Sequence, residues 1–210
     1  MITRALILFL FAFSMQEIRA QQFATTEDGR TVKLNENGTW QFVTKEKSRK
    51  TDSILHIYSK PQLATTYVKS TRNRFGFWYD KTVWKPVQKK TNEYAEFEME
   101  MPKGDAYAMF ISEKIELDLD QLRNIVIKNA RQQDPNIMVE KEEMRMVNGI
   151  KLKYLQMTGE AHGVNFVYQG YYSSNSSGTI QFVCFTAKNL VKEYESDFLN
   201  LLNGLVSSGQ

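Results

Sequence analysis

The chain has 210 residues, 42% hydrophobic and 12% aromatic, with 27 Lys and Arg against 24 Asp and Glu and a single cysteine. A formal charge of +3 is too small for a nucleic-acid protein, whose domains carry an obvious basic excess, and one cysteine excludes an intramolecular disulfide framework. The length suits one main domain plus a small appendage, since a domain of about 150 residues buries roughly 68 to 70% of its surface without staples.

The opening residues, MITRALILFLFAFSMQEIRAQQ, place Arg4 before an apolar run from Ala5 to Phe13 and a polar stretch ending in Ala20. That order is the grammar of a secretory signal peptide, and the run is far shorter than the roughly 18 apolar residues a bilayer crossing requires. Cleavage is expected after Ala20, with Ile18 bulkier than the small residue usual three positions before a cut. The expected product is soluble and exported, periplasmic or secreted, with no transmembrane anchor. Removing residues 1–20 leaves 25 basic and 23 acidic residues, a charge of about +2. A bacterial lipid anchor needs a cysteine at the new terminus, whereas Cys184 sits within IQFVCFT, where apolar neighbours predict a buried, inert thiol.

Residues 21–43 predict a small three-strand β-meander with strands at Phe23 to Glu27, Arg30 to Asn35 and Thr39 to Val43. A two-residue Asp28-Gly29 turn would pair Phe23 with Leu34 and Thr25 with Val32. A loop of Glu36, Asn37 and a left-handed Gly38 would set Leu34 opposite Trp40 and Val32 opposite Phe42, gathering Phe23, Val32, Leu34, Trp40 and Phe42 on one face. Residues 44–53, TKEKSRKTDS, are charged and aperiodic and predict a linker.

The main domain is expected over 54–210, with strands at Phe75 to Tyr79, Tyr94 to Met101, Ala106 to Ser112, Ile137 to Val147, Ile150 to Thr158, Val164 to Tyr172 and Thr179 to Thr186. AYAMFIS and TIQFVCFT are apolar on both faces and belong mid-sheet. In RMVNGIKL, a loop of Val147, Asn148 and left-handed Gly149 would set Met146 opposite Ile150 and Met144 opposite Leu152. Asp118 and Gln121 form a capping box for a helix whose stripe is Leu119, Leu122, Ile125, Val126 and Ala130, with Ile127 off it, ending at Asp134-Pro135. A closing helix over Asn189 to Val206 presents Leu190, Tyr194, Phe198, Leu201, Leu202 and Leu205, opposite Lys192, Ser196 and Asn203.

Hydrolase and metalloprotease motifs are absent from the sequence, and His56 and His162 lack metal-ligand spacing, so no catalytic, metal or cofactor residue is assigned. Glu96, Glu98 and Glu100 recur at period two and predict a solvated strand face. The sequons at Asn37 and Asn175 are expected to be plain turns in a bacterial envelope. Lys69 to Lys90 carries seven cations, Lys69, Arg72, Arg74, Lys81, Lys85, Lys89 and Lys90, against Asp80, interleaved with Phe75, Phe77, Trp78, Tyr79 and Trp84. Two readings stand: core aromatics with lysines guarding an edge strand, or a basic-aromatic surface for an anionic partner, with Arg72, Arg74, Trp78, Lys81, Trp84 and Lys85 as its contacts.

FGFWYD leading into KTVWKP, the strand pair EYAEFEMEM and DAYAMFIS, an amphipathic helix, antiparallel strands and the closing NLVKEYESDFLNLLNGL resemble the PsbP-like superfamily over about residues 64–206. That superfamily takes in photosystem II extrinsic proteins, DcrB-like envelope proteins and a Ran-binding import factor. The resemblance implies an α+β fold, an antiparallel β-sheet sandwiched by helices, and a non-catalytic binding or assembly role; its members differ in partner, so no functional residue carries over. The meander is similar to a DGR-V-L-NGTW segment of exported bacterial proteins. The expected function is an exported, non-catalytic binding or assembly protein of the cell envelope, its partner an envelope protein or an anionic envelope component. A carrier of a small apolar or amphiphilic ligand between sheet and closing helix is the alternative, and an enzyme of unrecognised type the third.

Overall fold

The structure, a computed structural model, describes residues 23–25, 31–34, 37–42, 55–161 and 163–208. The signal segment with its Ala20 site, the Asp28-Gly29 turn, the linker and His162 lie outside the described residues. The chain divides into two compact units, 1–53 and 54–210.

In the first unit β1 (Phe23–Thr25), β2 (Thr31–Leu34) and β3 (Trp40–Phe42) form an antiparallel sheet in that order. The second hairpin has the expected register, Val32 opposite Phe42 and Leu34 opposite Trp40, and Gly38 is left-handed at φ +78°. The first does not: Phe23 stands opposite Lys33 and Thr25 opposite Thr31, so an odd number of residues joins the strands. Ala24 therefore takes the register position opposite Val32 that was expected for Thr25. The Asn37 sequon is a turn closed by its own side chain, which accepts from the Thr39 amide at 3.1 Å and hydroxyl at 2.6 Å.

The second unit runs β4 (His56–Tyr58), β5 (Thr66–Lys69), β6 (Phe75–Tyr79), β7 (Lys85–Pro86), β8 (Ala95–Glu100), β9 (Ala106–Glu113), α1 (Leu119–Gln133), β10 (Met138–Val147), β11 (Ile150–Ala161), β12 (Val164–Asn175), β13 (Gly178–Ala187), α2 (Val191–Leu202) and β14 (Leu205–Ser207). Eight strands form one sheet, β4-β10-β11-β12-β13-β9-β8-β7, and three form a second, β14-β6-β5. The architecture is α+β. The large sheet is mixed rather than wholly antiparallel, because the edge strand β4 runs parallel to β10.

Alternation along the central strands feeds two cores, as a sheet covered on both sides requires. Leu152, Tyr154, Tyr171, Ile180, Phe182, Cys184 and Phe110 meet Phe198, Leu201 and Leu202 of α2 and Phe75, Phe77 and Leu205 of the small sheet. On the other face Leu155, Met157, Tyr172 and Val183 meet Leu122, Val126 and Ile127 of α1. The capping box forms as expected, with Asp118 accepting from the Asp120 amide and Gln121 accepting from the Asp118 amide. The α1 stripe is corrected: Ile127 is buried and Ile125 is 41% exposed. Both flank Val126 by about 100°, so periodicity treats them alike, and the position of the sheet chooses Ile127.

Two further corrections matter more. The β10–β11 turn is the two-residue Asn148-Gly149, both at positive φ (48° and 82°), with Val147 opposite Ile150 and Arg145 opposite Leu152. This one-residue slip moves Arg145 to the inner face in place of Met144 and Met146. Arg145 is 3% exposed, its guanidinium 3.6 Å from the Tyr154 ring centre, ion-paired with Glu143 and donating to the Tyr171 hydroxyl at 3.0 Å. That hydroxyl donates in turn to Asn203 Oδ1 at 2.7 Å. Burial, the largest influence, pushes the Tyr171 phenol up to about 12 even beside the Arg145 cation. Secondly, α2 ends at Leu202 instead of continuing to Val206. Asn203 is buried, not solvent-facing, and Gly204 opens β14, accepting from the Trp78 amide at 2.9 Å.

Replacing Arg145 with alanine takes the cation from between the Tyr154 and Tyr171 rings and leaves Glu143 with Lys141 alone, so stability should fall by about 3 kcal/mol. Urea unfolding followed by far-UV circular dichroism measures this, with the loss appearing as a lower midpoint at unchanged slope.

Candidate functional site

The segment Ser70–Arg74 turns between β5 and β6, and its fold is dictated by one carboxylate. Glu96 was expected to share a solvated face with Glu98 and Glu100. Instead a bulge between Ala95 and Phe97 breaks the period of two and turns Glu96 toward Ser112. Its carboxylate accepts from Ser70 Oγ at 2.6 Å, from the Thr71 amide at 2.6 Å, from Thr71 Oγ1 at 2.8 Å and from Ser112 Oγ. Burial by itself pushes the Glu96 carboxyl up, but the hydrogen bonds from Ser112, Ser70 and Thr71 outweigh it and hold the group below its ordinary value. Glu98, 8% exposed, does the same for the next loop, accepting from the amides of Thr91 at 2.9 Å and Asn92 at 2.6 Å. Neither carboxylate is a free ligand.

Ser70 Oγ also accepts from the amides of Arg72 at 3.0 Å and Asn73 at 3.2 Å, and Asn73 Nδ2 donates to the Thr179 carbonyl at 3.0 Å. The loop is thus tied to the ends of β9 and β13. At the other side of β6, the Ser208 amide donates to the Arg74 carbonyl at 2.8 Å, an extension of β14 pairing in which Ser207 lies opposite Phe75. Together Lys69, Ser70, Thr71, Asn73, Arg74 and Ser208 line an open groove of about 680 Å³. Lys69 and Arg74 are exposed, and among the described residues no carboxylate pairs with either.

The expected contact residues separate. Arg74 lines the groove; Arg72 lies against it, with Nη1 donating to the carbonyls of Tyr94 at 3.3 Å and Ser112 at 3.2 Å. Trp78 is on the outward face of β6, its ring 4.9 Å from Tyr67. Trp84 is 2% exposed and packs 6.2 Å from Phe198, a core residue. Lys81 and Lys85 are exposed beyond the opposite end of β6, Lys85 in register with Glu100. Phe75, Phe77 and Tyr79 fill the core. Sequence reasoning named Lys69 only as one cation of the run and missed Ser208, whose place follows from β14.

A smaller groove of about 340 Å³ on α1 contains Arg123, Lys128 and Arg131. Its Arg123 is held by Glu142 at 2.9 Å and its Arg131 by the Ile137 carbonyl at 3.5 Å, so two of the three cations are already engaged. Cys184 is fully buried, and burial pushes its thiol well up, against a role as nucleophile. His56 is exposed on an edge strand. The Asn175 side chain closes its own turn on the Ser177 amide at 2.8 Å. Among the described residues there is no group of three His, Cys, Asp or Glu placed to hold a metal, and no helix long and apolar enough to cross a membrane.

Because native Glu96 resists protonation, unfolding takes up a proton as the acidity rises. Its stabilising contribution is full above the ordinary carboxylate value and is lost as pH falls through the lowered native value. A Glu96→Gln variant should be less stable than the parent by about 1 to 2 kcal/mol near pH 7, and the two should converge in acid. Urea melts between neutral pH and pH 3 measure the convergence.

No family model matches the sequence, and no curated protein matches it. Solved structures do. The chain is similar to the solution structure of cyanobacterial PsbP (CyanoP) from Synechocystis sp. PCC 6803, with 16% identity and a TM-score of 0.50 over 68% of this chain and 91% of that one. A protein from Bacteroides thetaiotaomicron matches at 12% identity and a TM-score of 0.48, over 70% of this chain and half of that one. LpqN, described as involved in cell envelope biogenesis of Mycobacterium tuberculosis, matches at 9% identity and a TM-score of 0.39, over 66% of this chain and 86% of that one. The fold described above is therefore PsbP-like.

Proposed function

We propose that this protein is an exported, non-catalytic binding or assembly component of the cell envelope that holds an anionic partner in the Lys69–Arg74 groove. The observation that carries the reading is the contrast inside one loop. Arg72, Ser70 and Glu96 are spent on internal hydrogen bonds, while Lys69 and Arg74 are left without a counter-charge beside the groove-lining Thr71, Asn73 and Ser208. A loop fixed from beneath loses little conformational entropy when its outer cations are engaged, which favours binding. Ser70, the best-buried hydroxyl there, donates to Glu96 and accepts from two amides, which leaves it poorly suited to act as a nucleophile. Export is supported by the arrangement of residues 1–20.

The carrier reading has less support. The space between the sheet and α2 is occupied by Phe198, Leu201, Leu202 and Phe77, the last with its ring 4.7 Å from Phe182.

Reversing both free cations, Lys69→Glu with Arg74→Glu, should lower retention on envelope fractions by about ten-fold or more, and the parent's retention should weaken with added salt. Lys85→Glu, at the far end of β6, should retain parental binding. Pull-down from envelope fractions at graded salt measures all three proteins, and equal retention of the double variant and the parent would remove the groove as the contact.

A further inference from the structure

We infer that the anionic partner is a lipid surface, docked on the outer face of the small sheet with headgroup phosphates in the groove; this rests on the groove reading above. Pairing of β5 with β6 sets Thr66 opposite Tyr79 and Val68 opposite Phe77 on the core side, which turns Tyr67, Lys69 and Trp78 outward together. Tyr67 is 39% exposed and stacks at a tilt on Trp78. Lys60 lies over the same indole, its Nζ 5.3 Å from the ring centre and donating to the Ala64 carbonyl at 3.0 Å. That contact closes the turn on which Leu63 stands out, 74% exposed. The outer face of β5 and β6 thus carries a tyrosine-tryptophan pair under a lysine and leads to Lys69 and the Arg74 groove, with the exposed Leu63 on the turn that precedes β5.

Each part matches one layer of a membrane boundary. Indole and phenol rings favour the headgroup level, an aliphatic tip favours the acyl boundary below it, and Lys and Arg favour anionic phosphates. A soluble polyanion without an apolar layer would satisfy Lys69 and Arg74 but leave Leu63 and Tyr67 facing water. The charge complementarity is one-sided, since among the described residues Lys60, Lys69 and Arg74 have no ion-pair partner.

The test uses protein purified from the exported fraction, its N-terminus defined by intact mass, in a Trp40→Phe background so that Trp78 dominates the exposed indole signal. Sedimentation with vesicles of phosphatidylglycerol in phosphatidylcholine should show binding with a blue-shifted emission, and vesicles of phosphatidylcholine alone should bind far less. Lys69→Glu with Arg74→Glu should weaken binding about thirty-fold. Leu63→Glu, at an exposed turn, should weaken it about ten-fold and abolish the shift. Heparin, a polyanion without an apolar layer, separates the two readings. Binding to heparin but not to the anionic vesicles overturns the lipid assignment and keeps the groove. Binding to neither overturns the lipid assignment, and the groove then stands or falls with the envelope-fraction retention of the Lys69→Glu with Arg74→Glu variant. Vesicle binding that is sensitive to the charge reversal yet indifferent to Leu63→Glu overturns docking at the acyl boundary.

Discussion

The Asn148-Gly149 turn is the constraint on which the rest of the main unit depends. Both residues sit at positive φ, the backbone that lets two residues reverse a right-twisted hairpin. Only a loop of that length pairs Arg145 with Leu152 and so sends the guanidinium inward. The turn also acts at a distance through its side chain. Asn148 accepts from the Lys60 amide at 2.7 Å and donates to the carbonyls of Asn203 at 2.8 Å and Leu205 at 2.6 Å. It therefore fixes the segment entering β5 and the place where α2 gives way to β14. Since β14 delivers Ser208 beside Arg74, a turn at one end of the large sheet helps shape the groove at the end of the small one.

A buried charge, Arg145, and a half-buried one, Glu96, divide the labour of holding this arrangement. Arg145 joins β10, β11 and β12 to the end of α2 through Glu143, Tyr154, Tyr171 and Asn203. Glu96 joins β8 and β9 to the β5–β6 turn through Ser112, Ser70 and Thr71. Each is expensive to bury alone and is satisfied from several sides, which is what makes the geometry around it hard to change without loss. The consequence for function is indirect: neither residue touches the groove's contents, yet together they decide where its free cations stand.

Much of the fold was legible because long strands repeat their pattern. β10 to β13 each span ten or twelve residues, enough alternation to set both type and faces. The α1 capping box was readable from Asp118 and Gln121 alone. The misses share a different cause. β4, β7 and β14 have three, two and three residues, too few to carry a period, and they exist because neighbouring strands offer them hydrogen bonds. The slip at Asn148-Gly149 came from favouring hydrophobic matching over the stronger two-residue turn signal of Asn-Gly. The end of α2 carried a signal too, Asn203-Gly204, overridden by Leu205 continuing the stripe. Of the candidate site, composition pointed to the run from Lys69 to Lys90 but could not tell Arg74, at the groove, from Arg72, turned to the carbonyls, or Trp78 from the buried Trp84. That distinction needs the bulge at Glu96 and the β5–β6 register, both of which are tertiary.

The same alternation that fills the core also commits the outer face. Val68 and Phe77 cannot stay inside unless Tyr67, Lys69 and Trp78 point out, so the composition of the surface is tied to the packing of the interior. Gly76 completes this coupling. A Cβ there would lie 2.6 Å from the Tyr67 hydroxyl oxygen and 2.6 Å from the Val68 carbonyl, so the bare backbone is what allows the tyrosine ring to reach over Gly76 beside Trp78. The aromatic platform is therefore built by a missing side chain as much as by the two present. A ring laid across a strand is held on both sides before any partner arrives, and such a platform meets a flat boundary with little left to order.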